Sequence, residues 1–221
     1  MAKLYFRYGA MGCSKTANAL MVNYNYEEKH LKPLLLAPKI ILGKEKVLSS
    51  RAGLKHSCEY VEDYIICSTD NYETEIVDMN DKQKVFSKVR GYNCIIIDEV
   101  QFCSIAQIKM LKSIVNELQI PVICYGLKTD FMNIPFSTAE ALLSRANVIE
   151  ELKTVCWCGD GATCNTRLDE YGNVVKHGER IVINNEKSKY HYTSLCLKHY
   201  NAEDIGSYMR EEFQNLHMIN K

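Results

Sequence analysis

The stretch that most constrains this chain is "RYGAMGCSKTANAL", residues 7–20. Inside it, Gly9-Ala10-Met11-Gly12-Cys13-Ser14-Lys15-Thr16 meets the phosphate-loop pattern G-x-x-x-x-G-K-[ST] at every anchor but the second glycine, which is Ser14. Such a loop works only at a strand-to-helix junction, where successive backbone N–H groups converge on phosphate oxygens at the positive end of the helix. Lys15 would neutralise the β- and γ-phosphates, and the Thr16 hydroxyl would ligate magnesium. Ser14 stands where the loop enters the helix. A small residue that tolerates helical angles should leave the loop closed there, so the substitution is expected to be mild. The same letters also read as a Gly-Ser turn capping an ordinary helix, and the loop alone does not separate the two.

Its context does. "KLYFRY", residues 3–8, is strand-like, and "ANALMVNYNYEEKH" carries Leu20, Met21 and Tyr24 among good helix formers. Beyond them "KPLLLAPK", "DYIICST", "YNCIIIDEV" and "IPVICYGL" read as strands. In "SIAQIKMLKSIVNELQ", Ile105, Ile108, Leu111, Ile114, Val115 and Leu118 recur at helical spacing. Strands alternating with helices predict an α/β fold, a P-loop domain with a mainly parallel sheet over residues 1–150. "CIIIDEV" is a continuous apolar run, as for a strand covered on both faces, and it ends in Asp98-Glu99. P-loop enzymes bind magnesium through an acid at such a strand end, so ATP and Mg2+ are the expected ligands.

From Thr154 the character changes. Cysteines cluster, the single tryptophan Trp157 appears, and "DEYGN" is a turn signal between two short β-like segments. Residues 151–200 are expected to form a small β-rich, metal-stapled domain, followed by a charged C-terminal tail, 201–221. "CWC" and "CLKH" offer Cys156, Cys158, Cys196 and His199, a donor set suited to tetrahedral zinc with no open position, hence to a structural Zn2+. Cys164 is the reserve ligand if Cys156 points away, and free thiols are the alternative. The scattered cysteines Cys58, Cys67, Cys94, Cys103 and Cys124 read as small buried hydrophobes of a reducing compartment. Basic and acidic side chains balance at 27 each, which gives no electrostatic argument for nucleic acid or a membrane surface. No run approaches the roughly 18–20 apolar residues of a bilayer span, and "MAKLYFRYG" lacks a signal-peptide core, so a cytoplasmic location is expected.

"GAMGCSKT" and "DEVQF", then "YGLKTDFMNIPF", "ELKTVCWCG" and "SLCLKHY", in that order from about residue 3 to residue 200, resemble the type II thymidine kinases of bacteria, viruses and animal cytosol. The resemblance implies a P-loop domain, a zinc-binding domain whose lasso (here residues 165–193) covers the nucleoside, and a homotetramer. It implies transfer of the ATP γ-phosphate to the 5′-hydroxyl of thymidine or deoxyuridine, with Glu99 as general base and Asp98 serving magnesium. Gln101 and Arg51, in "SSRAG", would attend the phosphates. Met11, Leu127, Phe131 and Phe136 would line the thymine, Tyr192 would pack on it, and lasso backbone groups would bond the base edge. The end product dTTP is implied as a feedback inhibitor.

The chain departs from the family pattern at Ser14, at C-x-C in place of C-x-x-C, and at Ile40-Ile41-Leu42, where an acid and an arginine are usual. "NNEKSKYHY" also runs longer than usual before Tyr192. A non-catalytic nucleotide-binding relative is therefore the competing expectation, although such a protein has no physical reason to keep Lys15, Thr16, Asp98 and Glu99 together. A zinc-module interaction protein would leave both the loop and "DEVQF" unexplained.

Overall fold

The computed structural model describes residues 1–68, 77–180 and 190–219. They divide into two compact units. The first comprises Met1–Tyr8, Ser14–Lys128 and Phe136–Glu151. The second comprises Gly9–Cys13, Thr129–Pro135 and Leu152–Lys221.

In the first unit the chain runs β1 (Leu4–Tyr8), α1 (Lys15–Glu28), β2 (Pro33–Ala37), α2 (Lys39–Leu42), β3 (Val47–Ser49), β4 (Lys55–Ser57), β5 (Glu59–Tyr60) and α3 (Val61–Tyr64). It continues through α4 (Met79–Val89), β6 (Cys94–Ile97), α5 (Ile105–Ser113), β7 (Val122–Gly126), α6 (Ser137–Arg145) and β8 (Val148–Glu151). Six strands form one sheet in the order β5-β2-β6-β7-β1-β8, and every pairing in it is parallel. Ile95, Ile96 and Ile97 are all fully buried, as only a strand covered on both faces allows. Leu4, Phe6, Val122 and Cys124 continue that core across β1 and β7. In open parallel sheets ligands gather at the carboxyl ends of the strands, and the residues after β1 and β6 are the ones the sequence singles out.

Local chemistry sets the helix starts. Ser104 and Gln107 close a capping box at α5, side chain to backbone in both directions at 3.1 and 2.8 Å. Asp78 caps α4 by accepting from Asn80 and Asp81 N–H. The expected strand "DYIICST" is not one. Val61–Tyr64 is a helical turn, and the sheet edge beside β2 is taken by the two residues of β5. Ile65 is fully buried, and Ser68 bonds the Asp81 carboxylate through both its N–H and its hydroxyl. Thr69, the last residue of that stretch, lies outside the described residues. Conversely, β8 pairs along β1, an edge strand unread in the sequence because "VIEE" is half charged.

The second unit holds β9 (Cys164–Leu168), β10 (Val174–Val175), β11 (His191–Leu195), α7 (Leu197–Ala202) and α8 (Ser207–Ile219). β9 is the middle strand of an antiparallel sheet ordered β10-β9-β11. The "DEYGN" turn joins β9 to β10, with the Asp169 carboxylate accepting from Tyr171 and Asn173 N–H. The expected tail is largely α8, whose Phe213 is buried with Leu168, Leu195 and Tyr200. Of the expected lasso, residues 181–189 lie outside the described residues. Among the described residues, no helix is long and apolar enough to cross a membrane.

Candidate active site and metal centre

The phosphate loop leaves β1 at Tyr8 and enters α1 at Lys15. Gly9 is glycine by necessity: a Cβ there would meet the Leu152 carbonyl oxygen at 2.2 Å and the Cys13 Sγ at 2.6 Å. Gly12 has φ +80°, a left-handed conformation that glycine adopts without strain. Ser14 was expected at helical angles, yet it has φ 60° and ψ 28°. The position calls for the glycine the pattern carries, and a serine there costs on the order of 1–2 kcal/mol. Its side chain makes no capping bond, so this is not a serine-capped helix in the ordinary sense. Lys15 is buried at the start of α1.

The Thr16 hydroxyl donates to Asp98 Oδ2 at 2.7 Å, joining the loop's hydroxyl to the acid at the end of β6. Asp98 is fully buried, and among the described residues its Oδ1 has no hydrogen-bond partner. Burial first, and the neighbouring Glu99 carboxylate second, push Asp98 up to about 7, against the pull of the Thr16 hydroxyl. A buried carboxylate oxygen left without a partner is costly. A divalent cation, or water bound to one, satisfies it, so the pair fits magnesium.

Glu99 follows in a left-handed conformation, φ 54° and ψ 39°, which costs a non-glycine residue about 1–3 kcal/mol and persists only where the surroundings impose it. Gln101 supplies much of that surrounding. Its Oε1 accepts from Leu127 N–H at 3.0 Å, which fixes the orientation of the amide, and its Nε2 donates to Glu99 Oε2 at 2.5 Å. Gly126 makes room for this: a Cβ there would lie 2.7 Å from Gln101 Oε1. The backbone of Leu127 thus holds the amide that holds Glu99, a carboxylate aimed by a buried partner. Phe136 precedes α6, with its ring edge-on to Phe102 at 6.4 Å. Arg51 is exposed in the turn between β3 and β4, and among the described residues no hydrogen bond or ion pair ties it to the loop. Ile40 to Leu42, where the family acid is missing, form the short α2.

In the second unit Met11 N–H donates to Asn165 Oδ1 at 2.8 Å, and Asn165 Nδ2 donates to the Thr129 carbonyl at 2.7 Å. That one side chain clasps Met11 to the 129–135 loop, which carries Phe131. Asp130 stiffens this loop by accepting from Met132 and Ile134 N–H, both at 2.9 Å, and by pairing with Arg180 at 2.6 Å. Arg167 lies 3.6 Å from the centroid of the Phe131 ring and donates through Nε to the Tyr192 hydroxyl at 2.8 Å. Asn165, Arg167, Asp130 and Arg180 were not singled out in the sequence. Asn165 and Arg167 carry only a faint signal, a pair at period two in "TCNTRL" whose polar residues suggest an exposed face, and Asp130 and Arg180 carry none.

The candidate metal centre lies in the same unit. One ligand atom from each of Cys156, Cys158, Cys196 and His199 comes within 4.8 Å of all the others. His199 Nδ1 faces Cys196 Sγ at 3.2 Å and Cys156 Sγ at 3.5 Å. Burial works against the Cys156 thiolate, but hydrogen bonds from the Cys158 and Cys196 backbone and from His199 outweigh it and bring the thiol down to about 7. Cys164, the reserve ligand, stands outside this group, with its sulfur against Asn133 Nδ2 and the Thr163 hydroxyl. Trp157, between the first two cysteines, stacks on the His199 ring at 4.4 Å and donates its Nε1–H to the Asp204 carbonyl at 3.0 Å. A soft, closed set of three sulfurs and one imidazole fits structural zinc.

Against known families, residues 2–200 match the family model for thymidine kinase. A thymidine kinase of Francisella tularensis is 40% identical over 209 residues, covering 90% of this chain and 97% of its own. One from Vibrio vulnificus is 36% identical over 210 residues, covering 93% and 100%. One from Haemophilus influenzae is 38% identical over 202 residues, covering 90% and 96%.

Proposed function

This chain belongs to the thymidine kinase family, and from that premise we propose that it transfers the γ-phosphate of ATP to the 5′-hydroxyl of thymidine or deoxyuridine. The observation that carries the proposal is the bond between Thr16 and the buried Asp98, whose other carboxylate oxygen has no hydrogen-bond partner among the described residues, beside a held Glu99.

Glu99 accepts the proton of the 5′-hydroxyl as that oxygen attacks the γ-phosphorus. Its left-handed backbone and the Gln101 amide limit where the carboxylate can point. Lys15 and the N–H groups of residues 9–16 stabilise the phosphate charge, with Arg51 as a further cation. Thr16 and Asp98 would hold magnesium, which when bound would supply positive charge to the phosphates. Met11, Leu127, Phe131, Phe136 and Tyr192 receive the nucleoside. Cys156, Cys158, Cys196 and His199 hold zinc, remote in role from the chemistry. We further propose a homotetramer, inhibited by dTTP. An unchanged initial rate in a dTTP titration, or a monomer by sedimentation, would count against those two points.

The non-catalytic alternative is not favoured, because it gives no reason to maintain a strained Glu99 with a dedicated amide partner. A thymidine phosphorylation assay with ATP and magnesium tests the proposal, with Glu99→Gln run beside the wild type. Turnover in the wild type and a loss of about 10²–10⁴-fold in the variant is the expected result for a general base. Equal rates in the two proteins would remove Glu99 from the role, and a wild type that binds ATP without turnover would remove the kinase reading.

A further inference from the structure

Arg167 is among the largest fully buried side chains of the protein, with a relative exposure of 2%. It arises from the central strand β9, and its Cα pairs in register with Tyr192 on β11. A buried guanidinium needs its charge met by partners. Among the described residues its partners are aromatic faces, a phenol and backbone carbonyls. The guanidinium lies 3.6 Å from the Phe131 centroid, with the rings of Tyr190 and Tyr192 at 5.1 and 5.5 Å. Nε donates to the Tyr192 hydroxyl at 2.8 Å, Nη1 to the Glu179 carbonyl at 2.8 Å, and Nη2 to the Arg180 carbonyl at 3.4 Å.

An aromatic cage of this kind ordinarily receives a cation from outside. Here the protein fills it from its own strand, and two members of the cage are residues assigned above to the nucleoside. One planar cation therefore fixes both: it stacks on Phe131, and by holding the hydroxyl of Tyr192 it sets the rotation of that ring. Lysine could not do both, because an ammonium lacks the fork that bonds a phenol and a carbonyl while lying flat on a ring.

We propose that Arg167 is the positioning residue of the nucleoside pocket, governing affinity for the pyrimidine nucleoside through Phe131 and Tyr192 without itself contacting the reacting atoms. The proposal rests on the thymidine kinase reading and names a determinant of its nucleoside specificity.

The test compares Arg167→Met, Arg167→Lys and Tyr192→Phe with the wild type by separate KM determinations for thymidine and ATP, each with a thermal melt. Loss of a desolvated cation–π contact and its fork should raise the thymidine KM about tenfold in Arg167→Met, with the ATP KM within about twofold. Arg167→Lys should fall between. Tyr192→Phe should raise the thymidine KM, and combined with Arg167→Met it should add less than its separate effect, since both act through one contact. Equal rises in both KM values, or a lower melting temperature with both unchanged, would reduce Arg167 to a structural residue and overturn the proposal. If Arg167→Met does not fold, the lysine and phenylalanine variants decide by the same criterion. A wild type that binds thymidine without phosphorylating it would fail the kinase reading alone, and the comparison is then read in dissociation constants. A wild type that binds no thymidine overturns both.

Discussion

At the scale of single residues, backbone conformation decides what the letters leave open. Ser14 reads as a harmless exchange because serine is small, yet size is not what its position tests. The loop enters α1 through a left-handed residue, φ 60°, and the cost falls on the Cβ. Ser14→Gly removes that cost, of order 1–2 kcal/mol, but adds roughly 0.5–1 kcal/mol of unfolded-chain entropy. The variant should therefore gain between about 0 and 1.5 kcal/mol, a rise of at most about 6 °C in Tm for a chain of this size, read by calorimetry. A lower Tm would show that the serine hydroxyl contributes more than its backbone loses. Glu99 carries the same left-handed strain for a different reason. The string "DEVQF" does not announce it, because the Gln101 amide that bonds the Glu99 carboxylate is itself held by Leu127 N–H and given room by Gly126, at the end of a different strand. The sequence thus offers candidate groups, and their backbone posture is read only from the structure.

At the scale of elements, legibility followed apolar continuity. β2, β6 and β7 announce themselves because a strand covered on both faces must be apolar throughout, and β1 by its aromatic residues. β8 does not, since an edge strand can carry Glu150 and Glu151, the former paired with Arg7 of β1. "DYIICST" misleads in the opposite direction: among its described residues only Ile65 is fully buried, and they do not join the sheet. The clearest omission is α8. "SYMREEFQNLH" looks like a charged tail, but Met209 and Phe213 stand one helical turn apart and both turn toward the small core. Phe213 packs under Gly172, where a Cβ would meet its ring at 2.8 Å, and edge-on to His191 at 5.1 Å. Phe213→Ala should cost about 3 kcal/mol, the usual loss for a buried phenylalanine, measured by denaturant unfolding of the metal-bound protein. A change below about 0.5 kcal/mol, the size of an ordinary surface substitution, would mean that the helix is only loosely attached in solution.

At the scale of the whole molecule, the two units differ in what holds them. The first has a six-stranded parallel sheet with a continuous apolar interior, and such a core needs no staple. The second has a small core cluster, with Leu168, Leu195, Tyr200, Ile205 and Phe213 among its members, and three members of that cluster are cysteines. A core this small is commonly completed by a metal. Binding of structural zinc is worth about 10–16 kcal/mol in small peptides, comparable with the entire stability of a domain, so its removal should decide whether this unit stays folded. Chelation of the zinc-loaded protein should therefore strip amide-exchange protection from β9 and β11 while leaving it on β6 and β7. The same titration has an optical reporter, because the only tryptophan, Trp157, stacks on the proposed ligand His199, and its emission should change in step with the lost protection. Exchange that rises equally in both units would mean that they unfold as one. Exchange unaltered in β9 and β11 after complete metal removal would show that the packing of Leu168, Leu195 and Phe213 suffices, and would leave the sulfur cluster without a structural role.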